Sequence, residues 1–94
     1  MYRITTTKSF RKSLAKYRKS GSGFREDKLE YAVNMLAAGR ALPEAYFDHP
    51  LQGLMKDFRE CHIQPDLLLV YRIFNKELVL VLARLGSHDE LFGA

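Results

Sequence analysis

Cysteine occurs once in this sequence, at Cys61, so no intramolecular disulfide framework can staple the fold. A lone thiol fits a reducing compartment. No apolar run approaches the roughly 18 residues that a membrane-spanning helix needs; residues 67–70 and 78–83 are only strand-length. Charge appears at once after Met1, with no apolar stretch of the signal-peptide kind, so the expected location is the cytoplasm with no membrane association. Internal repeats and low-complexity segments are also missing. The 94 residues, 47% apolar and 28% charged, have the balance of one globular domain spanning 1–94 and exclude a disordered tail or a collagenous repeat.

Acidic residues are absent from the first twenty positions, which hold seven basic ones: Arg3, Lys8, Arg11, Lys12, Lys16, Arg18 and Lys19. The other 74 residues hold eight basic and eleven acidic, so the net charge of +4 is concentrated in one segment. Such a segment is either a footprint for a polyanion or acidic partner, or simply a solvated face.

Alternating, β-branched residues at 2–6 predict a short strand, and Thr6 or Thr7 can cap the helix that follows. In 8–19, Phe10, Leu14 and Tyr17 share one helical face, with Lys8, Lys12, Lys16 and Lys19 opposite. After the Gly21-Ser22-Gly23 break, Leu29, Ala32, Val33, Leu36 and Ala37 predict a second helix over 24–38, with Gly39 as its terminator. The two helices form an αα-hairpin. Residues 40–55 read as a long irregular connection, of the length that is often functional. Three strands are expected at 56–63, 66–74 and 77–85, with a tight turn at Asn75-Lys76, and a helical turn can follow Ser87. The predicted class is therefore α+β: order β-α-α-β-β-β, a mainly antiparallel sheet with the helical hairpin on one face. The central strands are apolar on both faces, so both faces need cover.

The chemistry-bearing residues lie in the second half. If the three strands are adjacent, His62, Asp66, Arg84 and His88 return to one end of the sheet. Histidine exchanges protons near neutrality and arginine forks onto phosphate oxygens, so such a group can act on an RNA phosphodiester, whose 2′-OH is a built-in nucleophile. The bland reading is that these are ordinary hydrogen-bonded polar residues. A metal site from His62, Asp66 and His88 matches no compact zinc spacing. Cys61 and His62 are neighbours on a strand and point to opposite faces, so they form no nucleophile–base pair and Cys61 reads as core.

The blocks Asp48-His49-Pro50-Leu51-Gln52-Gly53, Cys61-His62-Ile63-Gln64-Pro65-Asp66 and Gly86-Ser87-His88-Asp89-Glu90-Leu91-Phe92, with Tyr71-Arg72 and Arg84 between, resemble the YafQ branch of the RelE/ParE toxin superfamily. The resemblance implies the toxin of a type II toxin–antitoxin system: a ribosome-dependent mRNA endoribonuclease cutting the A-site codon without metal or other cofactor. It implies catalytic roles for His49, Glu60, His62, Asp66, Arg84 and His88, and substrate contacts from Arg59 and Phe92. The basic helix residues Lys8, Arg11, Lys12, Lys16, Arg18 and Lys19 would then contact ribosomal RNA backbone. The implied partners are the ribosome, mRNA and a cognate antitoxin with an acidic or amphipathic C-terminal segment. The free toxin is expected to be monomeric, with higher assembly through the antitoxin. One departure is Met55, where members of the family often carry Trp; this chain has no Trp. The competing readings are a ParE-like toxin that binds a topoisomerase without cutting RNA, and an RNA- or ribosome-binding module without chemistry.

Overall fold

The computed structural model describes residues 1–21 and 23–93; Ser22 and Ala94 lie outside the described residues. The chain runs β1 (Arg3–Thr6), α1 (Lys8–Ser20), α2 (Glu26–Ala37), β2 (His49–Pro50), β3 (Arg59–Gln64), β4 (Leu67–Phe74), β5 (Val79–Gly86) and α3 (His88–Phe92). One sheet holds all the strands in the order β1-β5-β4-β3-β2. The β1–β5 pair is parallel and the other pairs are antiparallel.

Local chemistry sets the element ends. The Thr7 hydroxyl accepts from the Phe10 amide at 3.0 Å, capping α1. The same hydroxyl donates to the Ala83 carbonyl at 2.6 Å, which ties the start of the helix to β5. Helix α2 ends in a Schellman arrangement: Gly39 N–H donates to Leu36 O and Arg40 N–H to Met35 O, both at 3.0 Å. Gly39 takes φ +75°, the left-handed conformation that glycine adopts without a Cβ clash. Helix α3 opens with a capping box, Ser87 Oγ accepting from Glu90 N and Glu90 Oε1 accepting from Ser87 N.

The central strands are covered on both faces. On one side α1 and α2 bury Phe10, Leu29, Ala32 and Leu36 against Leu69, Tyr71, Leu80, Leu82 and Leu85. On the other, Leu91 of α3, with Leu51 and Phe58 from the loop, packs on Leu68, Val70 and Ala83.

Three expectations change. The connection at 40–55 is not wholly irregular: it contains β2 and two single 3₁₀ turns, Glu44–Tyr46 and Gly53–Met55. The next strand starts at Arg59 rather than at 56, because the amides of Lys56 and Phe58 bond back into the second turn, to Gly53 O and Met55 O. The β4–β5 turn extends to Leu78, which sits at φ +55°, so β5 begins at Val79. A register shift between Val70 and Tyr71 also interrupts the β4–β5 ladder: Tyr71 faces Leu82 whereas Val70 faces Arg84, leaving Ala83 as the extra residue of a bulge. Leu82 and Leu85 both reach the helix-side core, and Ala83 turns to the opposite face.

Gly86 is where α3 approaches the sheet most closely. A Cβ there would meet Glu90 Oε1 at 3.1 Å and Leu91 Cδ2 at 3.3 Å. Gly86→Ala is therefore expected to cost about 1–3 kcal/mol and to loosen α3 first. Faster amide exchange at Leu91 and Gly93, with core amides unchanged, is the expected readout; uniform destabilisation would show that the contact is not specific to α3.

Candidate active site

The sheet face that carries α3 also carries the acid–base residues. The register aligns His49, Glu60, Val70 and Arg84 across four strands, and beside them His62, Leu68 and Gly86. Directly paired residues project to one face, so both rows point the same way. Helix α3 then brings His88 over the second row.

Glu60 is the most constrained member. It is only 5% exposed, the one buried charged residue among those described. Its Oε1 lies 3.1 Å from His49 Nε2. Its Oε2 is buried with no hydrogen-bond partner. The other ring nitrogen of His49, Nδ1, is 2.7 Å from the Phe47 carbonyl, which can only accept. Nδ1 is thus the protonated nitrogen, and Nε2 is the one that faces Glu60. His62 lies beside them, its ring 5.9 Å from that of His88 and 5.5 Å from that of Phe47, both edge-on.

Asp66 orients His88. Its Oδ1 accepts from the His88 backbone N–H at 3.3 Å and lies 3.1 Å from Nδ1. The hydrogen bonds from the His88 ring and then its backbone hold the Asp66 carboxyl below the ordinary carboxylate range. With Nδ1 on Asp66, Nε2 of His88 is left for chemistry.

Arg84 stands in the first row, but its guanidinium is engaged at the end of α3, donating to Leu91 O at 2.9 Å and Glu90 O at 3.1 Å. Phe92, 49% exposed, lies one helical turn after His88 and so on the same face of α3. Arg59 is not brought to this face. Its Nε donates to Asp48 Oδ1 at 3.1 Å, and Tyr71 donates its hydroxyl to the same oxygen. Sequence reasoning missed this network; it clamps Asp48 and thereby the start of β2, placing His49 opposite Glu60. Cys61 is fully buried on the helix side, and burial pushes its thiol up to about 12, so it stays protonated.

The basic residues of α1 are all exposed but not all free. Lys16 pairs with Glu90, Arg18 with Glu26, and Arg11 bonds Thr6. Lys8, Lys12 and Lys19 have no side-chain partner among the described residues. Glu90 also accepts from the Tyr17 hydroxyl, so α1 and α3 are tied through one carboxylate.

Three groups could hold a metal ion. Ligand atoms of Glu60, His62 and His88 all lie within 4.8 Å of one another. Glu60 takes the place that the spacing alone assigned to Asp66.

A helical hairpin on a β1-β5-β4-β3-β2 sheet, with histidines and carboxylates gathered under a short C-terminal helix, is the architecture of small toxins of toxin–antitoxin systems. The family model described as "Bacterial toxin of type II toxin-antitoxin system, YafQ" matches residues 2–93, and the chain belongs to that family. The mRNA interferase toxin YafQ of Escherichia coli (strain K12) is 41% identical over 68 residues, covering 71% of this chain and 72% of that protein. Among solved structures, a metal-bound toxin from Helicobacter pylori is 51% identical, with TM-score 0.90 over 98% of this chain and 100% of that one. The toxin chain of the E. coli DinJ-YafQ complex is 33% identical, with TM-score 0.80 over 99% of this chain and 100% of that one.

The tie between helices has a pH signature. Lys16, then Tyr17 and the Ser87 amide, hold the Glu90 carboxyl at about 2, against 4.5 ordinarily. A carboxyl lowered in the folded state contributes stability above its unfolded value and loses it as pH falls. The α3 docking contribution is thus full above pH 4.5 and fades toward pH 2. Glu90→Gln should lower Tm near neutrality and flatten its fall across that window; an unchanged acid profile would remove Glu90 from the account.

Proposed function

We propose that this chain is an mRNA interferase: a ribosome-dependent endoribonuclease that cuts the A-site codon by metal-independent acid–base chemistry. The observation that carries the reading is the buried, unpartnered Oε2 of Glu60 in a cluster with His62 and His88. A buried carboxylate oxygen without a donor is costly to keep, and such groups concentrate at functional sites.

In this mechanism His62, backed by Glu60, takes the proton from the 2′-OH. The freed oxygen attacks the adjacent phosphorus. The P–O5′ bond breaks, and His88 gives its Nε2 proton to the departing 5′-oxygen. The products carry a 2′,3′-cyclic phosphate and a 5′-hydroxyl, and the site ends with one proton more on His62 and one fewer on His88. Asp66 holds the His88 ring by Nδ1 and so aims Nε2 at the departing oxygen. His49 sets its Nε2 against Glu60 Oε1 and holds the carboxyl group in place beside His62. Arg84 turns its remaining N–H groups toward the phosphate, where charge builds. Phe92 stacks on a splayed base.

The same three ligands, Glu60, His62 and His88, are the ones that would hold a divalent ion here. An ion bound there would take up the lone pairs that the proton transfer uses. A toxin neutralised by a protein partner fits the family description and the E. coli relative that was solved with DinJ. The cognate antitoxin is accordingly the proposed partner of this chain.

The test is primer extension on a programmed ribosome with the purified protein. Wild type should leave cuts at the A-site codon, and His88→Ala should reduce them by at least about 100-fold while the fold and antitoxin binding persist. A chelator selective for transition-metal ions, which leaves ribosomal Mg²⁺ in place, should not change the cuts. Arrested growth without any cut would instead favour the topoisomerase-binding reading. For the free lysines, Lys8→Glu combined with Lys12→Glu should weaken ribosome binding and its salt dependence without changing codon preference; an altered preference would show that α1 does more than position.

A further inference from the structure

Phe47 lies beside the site, and none of these roles uses it. It is 64% exposed and sits at φ +48°, a left-handed conformation rarely adopted by a bulky residue. The 3₁₀ turn holds it there, its N–H donating to Glu44 O at 3.0 Å, while its carbonyl accepts from His49. The strained backbone therefore does two things at once. It fixes the tautomer of His49, and it stands a phenyl ring against the ring of His62.

Beside that ring lies an open cleft of about 340 Å³, bordered by Phe47, His62, Ala45, Pro65 and Lys28. Its size suits a small flat ligand such as a nucleobase. Lys28, on the first turns of α2, is exposed and has no side-chain partner among the described residues. A ring face, an adjacent slot and an unpaired cation at its rim form the combination that holds single-stranded nucleic acid: the base stacks and the phosphate meets the charge.

We propose that Phe47 and Lys28 form a second nucleotide subsite, holding the base and the outer phosphate of the nucleotide on the 5′ side of the cut. The assignment of side rests on the nuclease reading above. His62 stands between Phe47 and His88, so the nucleotide that carries the attacking 2′-OH lies toward Phe47. The nucleotide that leaves lies toward His88 and Phe92. Two exposed aromatics thus bracket the acid–base groups and splay the strand between them.

The test uses a short single-stranded RNA carrying 2′-O-methyl groups throughout, which cannot be cut, titrated into the full chain and followed by NMR. Phe47→Tyr should bind as wild type does. Phe47→Asn removes the ring but accepts the left-handed backbone more readily, so it should raise Tm while weakening the probe by roughly 10-fold. A merely structural Phe47 would not move stability and binding in opposite directions. Lys28→Ala should reduce the salt dependence of binding. Wild type that fails to bind the probe, or Phe47→Asn that binds it unchanged, overturns the subsite. So does a Phe47→Asn variant that loses only antitoxin binding. The two readings fail separately. Ribosomal cuts with a KM unaffected by Phe47→Asn, together with unchanged probe binding, leave the nuclease and remove the subsite. Phe47-dependent probe binding without ribosomal cuts leaves the subsite and removes the nuclease.

Discussion

Strand β4 is apolar on both of its faces, and the rest of the molecule answers to that. Leu67, Leu69 and Tyr71 belong to the core under the helices, while Leu68 and Val70 belong to the cluster under α3. Leaving either set in water would forgo about 1.5–3 kcal/mol for each large side chain. The helical hairpin is broad enough to cover one face fully. Five residues of α3, with Leu51 and Phe58, cover only part of the other. The acid–base residues stand where that partial cover ends. A half-covered sheet face has apolar walls on one side of the cluster and is open on the other.

Within that setting Glu60 carries most of the electrostatic tension. A carboxyl group sealed to 5% exposure, with one oxygen against His49 and the other without a donor, is costly to bury. Its partner is held in turn by parts well away from the chemistry. Asp48 is gripped by Arg59 and Tyr71, and Phe47 offers its carbonyl from a strained turn. The second half of the site has its own support. Asp66 and the Ser87–Glu90 capping box orient His88, and Arg84 satisfies carbonyls at the end of the same helix. A loop-borne pair and a helix-borne pair are thus brought to one place by the sheet between them.

Helix α1 serves two ends with one row of charge. Lys16 is committed to Glu90 and steadies α3, whereas Lys8, Lys12 and Lys19 are exposed and have no side-chain partner among the described residues. The Tyr17 hydroxyl, raised to about 12 by burial and by Glu90, stays a donor at any physiological pH. A contact made on the far side of α1 therefore reaches the helix that carries His88 through a single carboxylate.

Much of this was legible in the residues. The two amphipathic helices, the Thr7 cap, the Gly39 stop, the three-strand meander and the helical turn after Ser87 are local or periodic features, and they needed only the chain to state them. The gathering of His62, Asp66 and His88 also followed, because adjacent strands must return to the same end of a sheet. The pairing of β2 did not follow: a two-residue edge strand containing Pro50 has no period to detect. Nor did the bulge at Ala83, which turns Arg84 into line with Glu60, or the clamp that keeps Arg59 on the helix side. These depend on which backbone groups meet across more than ten residues of sequence. The sequence by itself determined the helices and the longer strands, their order and the residue types at the site. Only the tertiary structure decided that His49 stands against Glu60, because that contact exists only once β2 has docked on β3 and the strands have buried the carboxyl group.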